Sequence, residues 1–197
     1  MTERRDVVLD PRNLRGLAHP LRVRLLGLLR ELGPSTATQL AVRTGQSSGA
    51  TSYHLRQLAA YGFVEEDRPR AGGRERWWRA AHDATRLDTA LDDPGAEPLR
   101  DAFLRAVALR HGQATLDAVD ALATLEADVG PGWHAGSTIS DMALRLTLDE
   151  ARELIAKLDA LIEGYRRDAP ATRDPADGTR RVVVHYHVLP QAPTEAG

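Results

Sequence analysis

The 197-residue sequence predicts an α+β protein. Three observations carry that prediction. Between residues 10 and 62, apolar side chains recur at helical spacing, punctuated by Pro and Gly. A strand–turn–strand pattern crowded with arginine follows at 63–80. Beyond it lie a long Ala- and Leu-rich helical stripe and, at 180–190, a valine-rich run ended by Pro190. The expected architecture is a helical N-terminal domain closed by a hairpin, a long linking helix, and a small strand–helix–strand C-terminal module.

Residues 1–9 read as a flexible arm. Asp10-Pro11 then makes a helix start, with Asp as cap and Pro in the first turn, and this helix runs to about Ala18. Pro20 opens the next segment. It places Leu21, Leu25, Leu28, Leu29 and Leu32 on one side and ends at Gly33-Pro34. Ser35 or Thr36 caps a third helix, with Leu40 and Val42 as its apolar residues and Gly45 as its stop. His19, just before Pro20, reads as a packing and hydrogen-bonding residue.

The fourth helix spans Gln46 to about Leu58. Thr51, Leu55 and Leu58 fall at i, i+4 and i+7 and form one face. Gln46, Gly49, Ala50, Tyr53 and Gln57 lie on the other, with Arg56 on the flank. That second face is small at its start and polar further along, as a helix entering a DNA major groove requires. Ser47 and Ser48 can cap its first turn, whose free N–H groups suit a phosphate. The third and fourth helices are joined by a very short turn containing Gly, which is the helix-turn-helix pattern. FVEED, RPRAGG and RERWWRA then read as strand, turn and strand. A basic hairpin directly after a recognition helix has the character of a wing, its arginines lying along the DNA backbone or in the minor groove.

These segments together resemble the ArsR-type winged helix-turn-helix repressors. The likeness covers roughly residues 10–80: LAHPLRVRLLGLLRELG, the ATQLA-type third helix, SSGATSYHLRQLAAYGFVEE and the basic hairpin, in that order. The family's S-x-HL-x-x-L signature is present as Ser52, His54, Leu55 and Leu58. The resemblance implies binding of double-stranded DNA through Gln46, Ser47, Ser48, Ala50, Thr51, Ser52, Tyr53, His54, Arg56 and Gln57. It adds Arg68, Arg70, Arg74 and Arg76 from the wing. Metal-sensing members generally use cysteine thiolates, and this chain has no cysteine. It looks closer to a cysteine-free, actinobacterial-like branch, whose effectors are usually undefined.

The remaining sequence organises as a linker and long dimerisation helix over 83–130, a regulatory or dimerising module over 131–190, and a tail over 191–197. The N-terminal domain is set at 10–82. From Leu99 to about Asp128 an apolar stripe includes Phe103, Ala106, Val107, Ala114, Ala118 and Leu125. STISDMALRLT reads as a strand, followed by a helix to about Arg167 with Thr147 and Glu150 as its capping pattern. RRVVVHYHVLP reads as the clearest strand in the chain.

Composition narrows the function. Residues 1–80 carry fourteen arginines against eight acids, while residues 81–197 carry twelve basic and twenty acidic groups. A basic part joined to an acidic one fits a polyanion at one end and something else at the other. Without cysteine there is no disulfide, thiolate metal site or thiol redox sensor. No apolar run approaches a bilayer span and the N-terminus does not read as a signal peptide, so the expected location is the cytoplasm.

No phosphate loop, HExxH or nucleophile elbow is present, and an enzyme is not expected. No cofactor is expected either. His185 and His187 share one face of a strand and are weak metal candidates, with His134 and Asp141 as further ligands. Trp78 and Trp133 are candidate lining residues for an effector cavity. The function expected is a sequence-specific regulator, a repressor by resemblance, acting as a homodimer on an inverted repeat and modulated by a small organic effector. The alternatives are a winged-helix protein-interaction module and a His-based metal-responsive regulator.

Overall fold

The computed structural model describes residues 5–68, 75–87, 95–129, 132–133, 135–165 and 179–191. The chain forms two units, residues 1–120 and 121–197. Among the described residues no helix is long and apolar enough to cross a membrane.

The first unit begins with β1 (Asp6–Leu9), α1 (Pro11–Leu17) and α2 (Pro20–Leu32). It continues through β2 (Ser35–Thr36), α3 (Ala37–Thr44), α4 (Ser48–Ala60), β3 (Val64–Asp67), β4 (Trp77–Ala80) and β5 (Ala84–Leu87). It ends in α5 (Glu97–Val129), which runs on into the second unit. The helix starts follow local chemistry. Asp10 and Asn13 form a capping box on α1, with Pro11 in its first turn. Thr36 and Gln39 do the same for α3.

Two small sheets frame the helices. β2, β4 and β3 form an antiparallel sheet in that order, pairing Ser35 with Trp78 and Glu66 with Trp78 from the other side. β1 and β5 pair in parallel, Asp6 with Ala84 through Leu9 with Leu87. The flexible arm expected over residues 1–9 is therefore corrected over Asp6–Leu9, which is a strand whose Leu9 is buried. β5 likewise replaces part of the expected linker. Arg30 of α2 holds it by donating Nε to the His82 carbonyl at 2.9 Å and Nη2 to Thr85 Oγ1 at 2.9 Å. Burial lowers the Arg30 pKa to about 10.

The core joins Leu14, Leu17, Leu25, Leu29, Leu40, Leu55, Leu58, Phe63 and Trp78. Gly16 lets α1 approach the end of α4, because a Cβ there would meet Tyr61 Cβ at 2.7 Å. α5 adds Phe103 and Ala106 to this core, with Leu99 and Val107 partly buried against it. Among the described side chains the apolar stripe expected along α5 is buried over these first turns, while Ala118 is exposed and Ala114 half-buried; Leu125 lies outside them. Val42 is 80 % exposed, a correction to its expected burial with Leu40. Two positions along a helix is about 200°, so the two side chains oppose each other.

In the second unit α6 (Leu148–Glu163) starts as expected, Thr147 and Glu150 forming its capping box. The two flanking segments do not form the expected strands. Residues 137–147 and 179–191 belong to no sheet among the described residues, so the strand–helix–strand module is corrected to a helix with two non-laddered flanks. The hydropathy pattern is there, but a strand also needs a paired backbone. Tyr186 ties the second flank to α6, its hydroxyl donating to Asp159 Oδ1 at 2.6 Å.

Candidate nucleic-acid interface

The turn between α3 and α4 is Gly45-Gln46-Ser47. Gly45 sits at φ 68°, the left-handed conformation that lets a helix stop within one residue. Its neighbour Gln46 donates its backbone N–H to the Ala41 carbonyl at 3.0 Å. From α2, Arg24 reaches across and donates to the carbonyls of Arg43 at 3.0 Å and Thr44 at 3.5 Å. A cation on the last carbonyls of α3 satisfies orphan acceptors and complements the negative helix end. The end of α3 is thus fixed by a left-handed glycine, a backbone bond and a cation.

Ser47 caps α4, its Oγ accepting from the Ala50 N–H at 3.2 Å. Thr51, Leu55 and Leu58 are buried and seat the helix, as the spacing predicts. Gln46, Ser47, Ser48, Gly49 and Arg56 are exposed, and Tyr53 is 52 % exposed. Ala50, Ser52, His54 and Gln57 are half-buried. Thr51 is corrected: with no exposed area it is a core residue and cannot touch DNA.

His54 turns toward its own domain. Its ring lies 4.5 Å from that of His19 and meets Tyr53 edge-on at 5.2 Å. His19 Nδ1 accepts from the Leu21 N–H at 3.1 Å and so caps α2. Burial and then nearby Arg22 hold the His19 pKa below its usual value. Burial, His19 and Arg22 do the same to His54. In both rings the charged form is disfavoured.

In the hairpin, Arg76 pairs with Glu66 at 3.1 Å and lies over the Trp78 ring at 5.7 Å. Arg79 pairs with Glu65 at 3.1 Å and Asp67 at 3.8 Å. Arg68 is exposed, and Arg70 and Arg74 lie outside the described residues. The acids of β3 thus offset much of the charge that the sequence assigns to the wing. Exposed pairs of this kind are worth about 0.2–1 kcal/mol, so a phosphate can displace them.

The family described as "Helix-turn-helix domain" matches residues 17–67, from the end of α1 through β3. The chain carries a helix-turn-helix domain. Over this segment the resemblance to ArsR-type winged helix-turn-helix regulators stands. No curated protein matches the chain. Among solved structures, it is 33 % identical to a "possible transcriptional regulator for arsenical resistance", covering 47 % of this chain and 80 % of that one with a TM-score of 0.31. It is 24 % identical to a fragment of a "possible transcriptional regulatory protein" from Mycobacterium bovis, covering 50 % and 88 % with a TM-score of 0.34. To ZitR of Lactococcus lactis, in an apo C30AH42A mutant, it is 18 % identical, covering 75 % and 82 % with a TM-score of 0.30.

The helix-turn-helix domain also holds an open cleft of about 360 Å³, lined by Thr36, Thr38, Ser52, Arg56, Arg76 and Trp78. It brings Arg56 of the recognition helix and Arg76 of the wing to one place. The sequence reading missed Thr36 and Thr38 here. Thr36 caps α3 and Thr38 bonds Glu75 across the cleft at 3.3 Å, a contact set by tertiary packing that no local pattern announces. Trp78 is buried within this domain, while Trp133 belongs to the second unit beside Gly136. His185 and His187 lie in the second unit's non-laddered flank. His134 lies outside the described residues, and no group of three or more metal-ligating side chains assembles among those described.

Proposed function

We propose that the chain is a sequence-specific DNA-binding transcriptional regulator. One observation carries this reading: α4 is anchored through Thr51, Leu55 and Leu58 while its opposite face, small at the start and polar beyond, is open to solvent. In this reading Gln46, Ser47, Ser48, Ala50, Ser52, Tyr53, Arg56 and Gln57 face the major groove. Arg68, Arg70, Arg74 and Arg76 follow the backbone. Residues 10–82 bind DNA, residues 83–130 link and dimerise, and residues 131–190 regulate. A homodimer presents two recognition helices to half-sites of an inverted repeat about one helical turn apart. Repression is the outcome proposed, in the cytoplasm, without catalysis and under the control of a small organic effector.

Footprinting of the purified full chain on its genomic DNA, at near-physiological and at raised salt, tests the reading. A few sharp inverted-repeat sites surviving the salt are expected. Diffuse protection that vanishes with salt would count against sequence-specific regulation. The internal pairing of Arg76 and Arg79 favours one second reading, a winged helix that binds protein. Weak, salt-insensitive DNA binding would support it.

A further inference from the structure

Two histidines meet where α4 packs on the start of α2. His54 is half-buried, and its ring lies 4.5 Å from that of His19, tilted by 40°. The same ring meets Tyr53 edge-on at 5.2 Å. Tyr53 is exposed, on the face that the proposed reading turns to the groove. Three rings in contact therefore run from the cap of α2 to a side chain that touches DNA in that reading.

The arrangement suits an uncharged pair. His19 Nδ1 accepts the Leu21 N–H at 3.1 Å, so it caps α2 only as a bare lone pair. A proton there would set two donors against each other. Around the rings, α1 supplies the Arg15 carbonyl, which accepts from Arg22 Nη2 at 3.0 Å, α2 supplies Arg22 itself, and α4 supplies Tyr53. Among the described residues no carboxylate acts on either ring. A charge on His19 would thus join that of Arg22 with nothing to offset it.

The two histidines are not equivalent. His19 is exposed, so solvent protons reach it. His54 Nδ1 is enclosed and has no hydrogen-bond partner among the described residues, so a second ring proton there would be both buried and unbonded. His19 is therefore the ring that takes up the proton. Its cap on α2 is then lost, and a cation stands against the His54 ring. Withdrawal of His19 relieves both, and it removes the support behind His54 and Tyr53.

We propose that His19 is an acid-sensitive latch on the recognition helix, positioning Tyr53 through His54 while uncharged and releasing it when protonated. The inference rests on the proposed function and adds to it a control in which the proton is the signal. The sign follows from linkage: burial and Arg22 hold the His19 pKa below its usual 6.5, so the closed latch is complete above that pH and is lost as the pH falls below it. Added positive charge attracts every DNA sequence alike, so the mark of release is loss of preference for the operator, with general affinity kept.

Two measurements on the full chain test it between pH 7.5 and 5.5. NMR follows the histidine rings and the α4 amides without DNA, and fluorescence anisotropy compares a footprinted operator with a random duplex. In the wild type the amides of Thr51 to Leu58 should shift with the titration of His19, and operator preference should fall about tenfold, the effect of one pKa unit of coupling. His19→Asn, which caps a helix without titrating, should show a preference that does not change with pH. His54→Phe offers a charged His19 an aromatic face and should also abolish the fall. The remaining histidines stay in both variants and report any acid effect that bypasses this pair. An acid response of His19→Asn equal to that of the wild type, α4 amides that ignore the His19 titration, or loss of the whole helical circular dichroism signal at pH 5.5 overturns the proposal. A chain without sequence preference at either pH, whose α4 amides follow His19, upholds the latch and removes the regulator. A sharp preference that is the same at both pH values does the reverse.

Discussion

Thr51 sits in the recognition helix with no exposed area, and its hydroxyl has no hydrogen-bond partner. A buried hydroxyl without a partner costs about 1–3 kcal/mol, and valine has the same shape without it. Thr51→Val should therefore stabilise the domain by about 1 kcal/mol in urea denaturation; destabilisation would mean that the hydroxyl is bonded after all. His19 and His54 give a second prediction. Their folded pKa values lie below the usual 6.5, so the unfolded chain takes up protons first. Stability is complete above about pH 6.5 and falls as the pH drops below it through the folded values. Asparagine caps a helix without titrating, so His19→Asn should match the wild type at pH 7.5 and lose less stability by pH 5.5. Parallel pH profiles for the two proteins would reject this role for His19.

At the scale of elements, α4 has two kinds of exposed side chain, and they should behave differently on DNA. Tyr53 is exposed on the face that the proposed reading turns to the groove, so Tyr53→Ala should reduce the ratio of operator to random-duplex affinity. Arg56 lines the cleft with Arg76 and Glu75, and in the proposed reading it meets a phosphate there. Arg56→Ala should weaken all sequences alike and lower the salt slope by about 1. Fluorescence anisotropy at several salt concentrations reads both, and an unchanged preference in Tyr53→Ala would remove that residue from the reading set. Legibility divides along the same line. The helices with their caps were readable because a 3.6-residue period and a Thr, Asp or Ser at the start are local signals. β1, β2 and β5 were not, being two to four residues long and owing their existence to a remote partner. Most of the exposed face of α4 followed from its period, whereas Thr51 was placed on both faces and the structure puts it in the core. The pairing of Arg76 with Glu66 depends on strand register, which the intervening turn conceals.

Across the whole molecule, a pattern and a fold prove to be separable. Among the described residues the flanks of α6 carry strand sequences without a ladder, while β1 forms a ladder from a segment that reads as a flexible arm. A ladder needs a paired backbone, and β1 finds β5 at a distance of 78 positions. Because Leu9 is buried at the end of that ladder, deleting residues 1–9 should destabilise the helix-turn-helix domain by about 2–4 kcal/mol. Chemical denaturation of the truncated chain measures it, and an unchanged midpoint would show that the pairing contributes nothing.

That parallel ladder has a mechanical meaning. The N-terminal end of β1 and the C-terminal end of β5 bracket α1 to α4, the helices of the helix-turn-helix domain. Tension applied at those two points would slide the strands past each other and load all their backbone hydrogen bonds together. An antiparallel pair pulled from one end would instead open bond by bond. The two-stranded sheet is thus placed as a shear clamp on the domain it encloses.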